Sequence, residues 1–322
     1  MKSKYTINVS RHFRVSFIFR SHYFVLIDNL VYTGDRRNRR SFMTRYTFSN
    51  GVTVPKIGFG TWQIPDGEVT YGAVSYALEA GYRHIDTAQI YGNEASVGRA
   101  IADSGLARED IFLTTKVWND KIGYEDTLAS VEESMQKLQV DYLDLLLIHW
   151  PNPKAVRDSI GWKERNAQVW KALEELYRAG KVKVIGVSNF MEHHLEALLE
   201  TAEIIPMANQ IMLAPGTPQS ELVAYCKAKG ILLEAYSPFG TGSLFQSQEA
   251  ADLAKEAGCS VAQLALAWSL DKGFLPLPKS TSPENIKANL EIDGLAISPT
   301  AVAKLDKLEG VKGRLDPDQA EF

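Results

Sequence analysis

The sequence predicts an α/β protein: a closed (β/α)8 TIM barrel with an N-terminal β-hairpin. Three observations carry this. From residue 46 onward, short β-rich runs alternate with longer helical patterns eight times. The rival, a doubly wound sheet, would carry a glycine-rich phosphate loop after an early strand. Gly58-Phe59-Gly60 and Gly240-Thr241-Gly242 are only half of one, with Gln63 and Phe245 where a third glycine belongs. Finally, isolated polar residues sit where the apolar runs end, which is where a barrel places its chemistry.

The elements follow in chain order. Asn50-Gly51 between two extended runs is a strong hairpin signal. Strands are expected at 57–61, 84–88, 111–116, 143–149, 184–187, 208–210, 232–235 and 275–278. Helices are expected at 69–80, 94–104, 127–138, 168–179, 193–201, 219–229, 261–270 and 283–289. Four of them end against a glycine suited to a C-cap: Gly81, Gly105, Gly180 and Gly230. The helix at 127–138 carries a three-four apolar stripe of Leu128, Val131, Met135 and Leu138.

Composition narrows the function. The chain has 322 residues and a formal net charge of -4. Residues 1–45 hold ten Lys or Arg against two Asp, a surplus of eight, and the remainder holds 25 basic against 37 acidic side chains, a deficit of twelve. An acidic body argues against nucleic acid or an anionic membrane as its partner. The apolar patches of the basic arm are interrupted by Arg11, Arg14, Arg20 and Asp28, so they are too short to span a bilayer and lack the form of a secretory signal. Met43 opens a natural start, so residues 1–42 are expected to be an extension outside the catalytic fold, and 43–322 the barrel. Cys226 and Cys259 are too few for a disulfide framework and lack metal-ligand spacing. The expectation is a cytoplasmic protein without a bound metal.

Four polar residues stand at consecutive strand ends. Asp86 closes the second strand, with Tyr91 in the loop beyond; Lys116 closes the third and His149 the fourth. Each alone is ordinary: a cap, a solvated cation, a hydrogen-bonded histidine. Together at one barrel mouth they suit proton transfer. A lysine beside a tyrosine favours the phenolate and is expected to lower the phenol from about 10. An aspartate would keep that lysine charged. The tyrosine could then protonate an oxygen, with the histidine polarising a carbonyl.

The body resembles the aldo-keto reductase family of NAD(P)H-dependent carbonyl reductases. The matching segments are GFGTWQ at 58–63, GYRHIDTAQIYGNEASVG at 81–98, TTKVW at 114–118, DLLLIHWP at 144–151, IGVSNF at 185–190, NQI at 209–211, EAYSP at 234–238 and LPKS at 277–280. Within the family it is most similar to the bacterial 2,5-diketo-gluconate reductase-like group, and residues 1–42 have no match. The resemblance implies Tyr91 as general acid, Lys116 and Asp86 as its tuning pair, and His149 as the group that orients the carbonyl. Relatives that reduce steroid carbon-carbon double bonds carry Glu at the position of His149, so reduction of C=O is expected.

For the cofactor, the resemblance implies that Ser188, Asn189 and Gln210 hydrogen-bond the nicotinamide carboxamide and that Tyr236 stacks on its ring. It places Ser237 and Phe239 over the pyrophosphate, and Lys279, Ser280 and Asn289 at the adenosine end. Asn285 stands where the family usually has an Arg that stacks on adenine, and Ala288 where Glu is common. NADPH is therefore expected, with NADH usable. Trp62, Trp118 and Trp150, together with His149, are the expected substrate contacts, suited to a small carbonyl compound. A monomer is expected. The competing functions are a cofactor-binding regulatory subunit of the same fold with little turnover, and a lyase using Lys116 as a Schiff base.

Overall fold

The computed structural model describes residues 45–157, 161–292 and 294–322. The reading of residues 1–42 as an extension lies outside them. Strands β1 (Arg45–Thr47) and β2 (Thr53–Pro55) form the expected antiparallel hairpin, pairing Arg45 with Pro55. Eight parallel strands follow in sequential order: β3 (Phe59–Gly60), β4 (His84–Asp86), β5 (Phe112–Val117), β6 (Leu143–Ile148), β7 (Val182–Ser188), β8 (Ala208–Met212), β9 (Leu232–Tyr236) and β10 (Leu275–Leu277).

The barrel closes between its first and last strands. The Gly58 and Gly60 N–H groups donate to the carbonyls of Pro276 and Pro278, both at 3.0 Å. Strands β4 to β6 are buried along their whole length, which is why Leu143–Ile148 reads as a nearly continuous apolar run.

The helices are α1 (Glu68–Ala80), α2 (Glu94–Asp103), α3 (Tyr124–Leu138), α4 (Lys154–Arg157), α5 (Trp162–Arg178), α6 (Glu192–Leu199), α7 (Ser220–Ala228), α8 (Gln248–Glu256), α9 (Val261–Asp271), α10 (Pro283–Leu290) and α11 (Pro299–Asp306). The sequence pattern does not predict α4, α8 or α11. Helix α8 buries Ala250, Leu253 and Ala254 and α11 buries Leu305, so each fully buries only one large apolar residue. Their caps are the better signal. Ser247 and Ser298 accept hydrogen bonds from the N–H groups of Ala250 and Ala301.

Helix α5 begins at Trp162 rather than 168, because its first turns bury Arg165 and Asn166 instead of apolar side chains. Helix α3 begins at Tyr124, where Asp126 accepts the Gly123 N–H at 2.8 Å.

Gly98 marks a close approach of α2 to the end of α3. A Cβ there would lie 2.5 Å from Leu138 O and 2.6 Å from Leu138 Cα, so backbone would meet side chain at the α2–α3 contact. Gly98→Ala is expected to cost about 1–3 kcal/mol. Urea unfolding would read this as a lowered midpoint.

Among the described residues no helix is long and apolar enough to cross a membrane. Cys226 is buried, Cys259 is half-buried, and both thiols are free. Burial pushes the Cys226 thiol up to about 11, as for a packed thiol rather than a reactive one.

Candidate active site

The barrel brings the four strand-end residues to one mouth. Lys116, on β5, is fully buried, and its ammonium donates to Asp86 Oδ1 at 2.7 Å, to the Thr87 carbonyl at 2.8 Å and to the Tyr91 hydroxyl at 3.5 Å. A short 3-10 turn, Gln89–Tyr91, carries the tyrosine back over the lysine. All three ammonium N–H bonds are directed at these acceptors, so Lys116 is held among them and does not line the cavity.

His149 lies just beyond β6, with its ring edge-on to Trp118 and Tyr91 at centroid distances of 5.1 and 5.8 Å. Burial, with Lys116 and Arg165 adding to it, holds the imidazole well below its usual range, so the ring is neutral and can present one N–H.

The phenol behaves differently from the sequence expectation. Burial and then the charge of Asp86 raise the Tyr91 hydroxyl well above 10. The ammonium at 3.5 Å does not reverse this, because the aspartate at 2.7 Å from the same ammonium offsets its field. Tyr91 is therefore a protonated phenol at neutral pH, the form a proton donor needs. Lys116 lies where it can stabilise the anion left after donation.

These groups form the floor of a cavity of about 550 Å³. Asp86, Tyr91, His149, Ser188, Asn189, Gln210, Tyr236, Ser237, Phe239, Lys279, Trp62, Trp118 and Trp150 all line it. Lys116 sits beneath the floor. Ser280 and Asn289 are not in the lining; Ser280 Oγ accepts the Ser282 N–H at 3.1 Å, and Asn289 is buried.

One side of the cavity is polar and closely held. Ser188 Oγ donates to the Gln210 carbonyl at 2.8 Å, Asn189 Nδ2 to the His149 carbonyl at 3.0 Å, and the Tyr236 hydroxyl to Asn189 Oδ1 at 2.7 Å. Asn189, Ser237 and Thr241 have left-handed backbone, with φ of 63°, 47° and 51°. Strain of this kind collects at ligand sites. The aromatic face of Tyr236 and the Lys279 ammonium, which has no ion pair among the described residues, give this side a fit for a flat ring and an anionic group.

The other side is aromatic. Trp62 stands 45% exposed at the rim, and Trp150 is buried. Phe322 reaches Trp150 and Trp118 at ring distances of 4.9 and 5.8 Å. Its tail is tied down: Asn152 Nδ2 donates to Asp318 Oδ1 at 2.8 Å and the Lys154 N–H to the Phe322 carbonyl at 3.2 Å.

His193, His194 and Asp318 are close enough to share an ion. However, His194 Nδ1 accepts the Met191 N–H at 3.2 Å, which puts the ring proton on Nε2. That atom donates to Asp318 at 3.0 Å, so the group works as a latch for the tail.

Residues 56–309 match the Aldo/keto reductase family, and the match spans every barrel strand. The chain belongs to this family. The reductase is thus an NAD(P)H-dependent oxidoreductase on a (β/α)8 barrel. It is 45% identical to the glyoxal reductase of Bacillus subtilis (strain 168) over 259 residues, covering 80% of this chain and 90% of that protein. It is 41% identical to the aldehyde reductase YPR1 of Saccharomyces cerevisiae over 297 residues, covering 85% and 94%. The crystal structure of a point mutant of Gox0644 in complex with NADPH superposes with a TM-score of 0.79 at 34% identity, covering 87% of this chain and 99% of the other.

Three residues of the reductase's site escape a reading of the sequence alone. Arg165 is fully buried and donates to the carbonyls of Trp118 at 3.2 Å and Trp150 at 3.0 Å, holding the loops that carry both indoles. Phe322 has no local signal. Glu234 has one: on β9 it shares a face with Tyr236, two residues on, so a lone acid in an apolar strand points the same way as a cavity residue.

Proposed function

We propose that the reductase converts small aldehydes, ketones, α-dicarbonyls or keto-sugars to alcohols, with NADPH as its reductant. The single observation that carries this is the placement of the Tyr91 hydroxyl, at the cavity floor and 3.5 Å from the buried Lys116 ammonium, with neutral His149 beside it. Bound NADPH supplies the hydride. His149 orients and polarises the carbonyl through one N–H. Tyr91 donates the proton to the carbonyl oxygen, and Lys116, held by Asp86, stabilises the resulting phenolate. Ser188, Asn189 and Gln210 receive the nicotinamide carboxamide, Tyr236 stacks on the ring, and Ser237 and Phe239 cover the pyrophosphate.

Lys279 and Ser280 meet the 2'-phosphate, and Asn289 the adenosine. Asn285, exposed at the first turn of α10, supplies neither the guanidinium plane nor the bidentate contact of an Arg, so discrimination against NADH is expected to be modest. Trp62, Trp118 and Trp150 form the substrate walls. The reading extends to a monomeric cytoplasmic enzyme whose residues 1–42 take no part in catalysis.

The NADPH complex of the Gox0644 mutant and the glyoxal and aldehyde reductase relatives support the cofactor and substrate class. The test is NADPH oxidation against a panel of aldehydes, α-dicarbonyls and keto-sugars, with kcat/KM compared for NADPH and NADH. Turnover with several small carbonyls and a preference for NADPH are expected. Negligible turnover across the panel, together with a co-purifying protein, would point instead to a regulatory subunit. A clear NADH preference would remove Lys279 from its role.

A further inference from the structure

Beneath the cavity floor lies a second acid. Glu234 is fully buried on β9. Gln210 Nε2 donates to Glu234 Oε2 at 2.8 Å and to Asp86 Oδ2 at 2.8 Å. One amide nitrogen thus bridges two buried carboxyls, and both of its N–H bonds are spent. Among the described residues the amide oxygen of Gln210 accepts nothing, so it is the atom left to meet a ligand. Two carboxyls bridged in this way cannot both stay charged at low cost. Asp86 is paired with Lys116 at 2.7 Å, whereas Glu234 Oε1 is buried with no partner. Asp86 is therefore the carboxylate, and Glu234 holds the proton.

We propose that Glu234 is a positioning residue of the reaction centre. As an uncharged acid it fixes the Gln210 amide with its oxygen toward the cavity. Its ionisation, felt through Gln210, Asp86 and Lys116, sets the alkaline limit of proton donation by Tyr91. This rests on the reading of Tyr91 as donor.

The surroundings of Glu234 agree. Its partners in the sheet are Gln210 on β8 and Leu275 on β10, neither of them charged. Asp86 on β4 and Lys116 on β5 are the charged groups that act on it. His84, two residues before Asp86, is held neutral by burial, down to about 3, and Tyr236 on β9 stays a phenol. Burial and then Asp86 push the Glu234 carboxyl up to about 8. Above that, the Asp86–Lys116–Glu234 group changes from neutral to singly negative. Less of the lysine's field then remains for the Tyr91 phenolate, and donation slows.

Glu234→Gln keeps the shape and the acceptor but removes the titration. The test has two arms. In single-turnover NADPH oxidation, each enzyme scaled to its own maximum, the wild-type rate is expected to fall with a midpoint near pH 8. In E234Q the fall should move up by at least about one pH unit, roughly the width of one titration.

The second arm needs no cofactor. An acid raised in the folded state binds its proton more tightly there than in the unfolded chain. Wild type therefore loses stability relative to E234Q as pH rises from about 4.5 toward 8, and no further above it. The difference in unfolding midpoint should widen over that window and then level. Glu234→Met, of similar volume, should behave likewise.

Superimposable rate profiles for wild type and E234Q overturn the positioning role. A midpoint difference that does not vary with pH overturns the buried acid. If Tyr91→Phe keeps its turnover, the donor reading fails instead, and the unfolding arm still reports on Glu234.

Discussion

Tyr91→Phe is expected to lower kcat/KM for aldehyde reduction by about 10²–10⁴ fold, the usual worth of a positioned general acid. The substitution removes one oxygen and leaves the ring edge-on to His149 at 5.8 Å. Of the residues proposed for the nicotinamide, Asn189 is held by the His149 carbonyl, Gln210 by Asp86 and Glu234, and Tyr236 by Asn189, and none of these hydrogen bonds passes through the Tyr91 hydroxyl. NADPH binding, followed by fluorescence titration, should therefore stay within about threefold, less than a typical hydrogen bond is worth. Retained turnover with simple aldehydes would show that the proton comes from elsewhere, with His149 the next donor to examine.

Lys116→Met should be the more damaging change to the fold. The ammonium is fully buried and is the ion-pair partner of Asp86. Without it, a buried carboxylate would face a second carboxyl across one amide, and breaking a buried pair from one side costs about 3–5 kcal/mol. Urea unfolding should register that loss, and turnover should fall at least as far as in Tyr91→Phe. Asp86→Asn added to Lys116→Met removes the orphaned charge. The double variant is expected to recover much of the stability and none of the turnover. If Lys116→Met alone is as stable as wild type, the Asp86–Lys116 pair contributes nothing net to the fold and its removal orphans no charge.

The parts of this fold that are legible from sequence are those governed by short-range rules. Buried parallel strands read as apolar runs, and Asn50-Gly51 and the C-cap glycines carry their own backbone preferences. The strand-end residues Asp86, Lys116 and His149 stand out as polar groups terminating such runs. What stays hidden depends on partners distant in sequence. The first turns of α5 look like a charged loop until Arg165 is seen holding carbonyls of two other loops. Helices α8 and α11 bury too little to show a period. Phe322 becomes a wall because the tail is held by distant partners: Asp318 by Asn152 and His194, and the Phe322 carbonyl by the Lys154 N–H. The Tyr91 shift runs against the sequence expectation for a related reason. A lysine and a tyrosine considered as a pair omit the burial of the hydroxyl and the aspartate sharing the lysine, and both push the other way.

The seam of the barrel has a consequence for how the chain assembles. Pro276 and Pro278 turn their carbonyls toward β3. Their nitrogens face the same side and carry no hydrogen, so across this seam β3 donates and receives nothing back from either proline. The joint that needs the two ends of the barrel sequence to meet, and so bears the largest loop-closure cost, also has the sparsest ladder. Closure there is expected late in folding, after the local β–α units have formed. Trp62 and Lys279 flank that joint at the cavity, one just past each strand. A ligand touching both would bind only the closed ring, and so would act as a clasp on that closure.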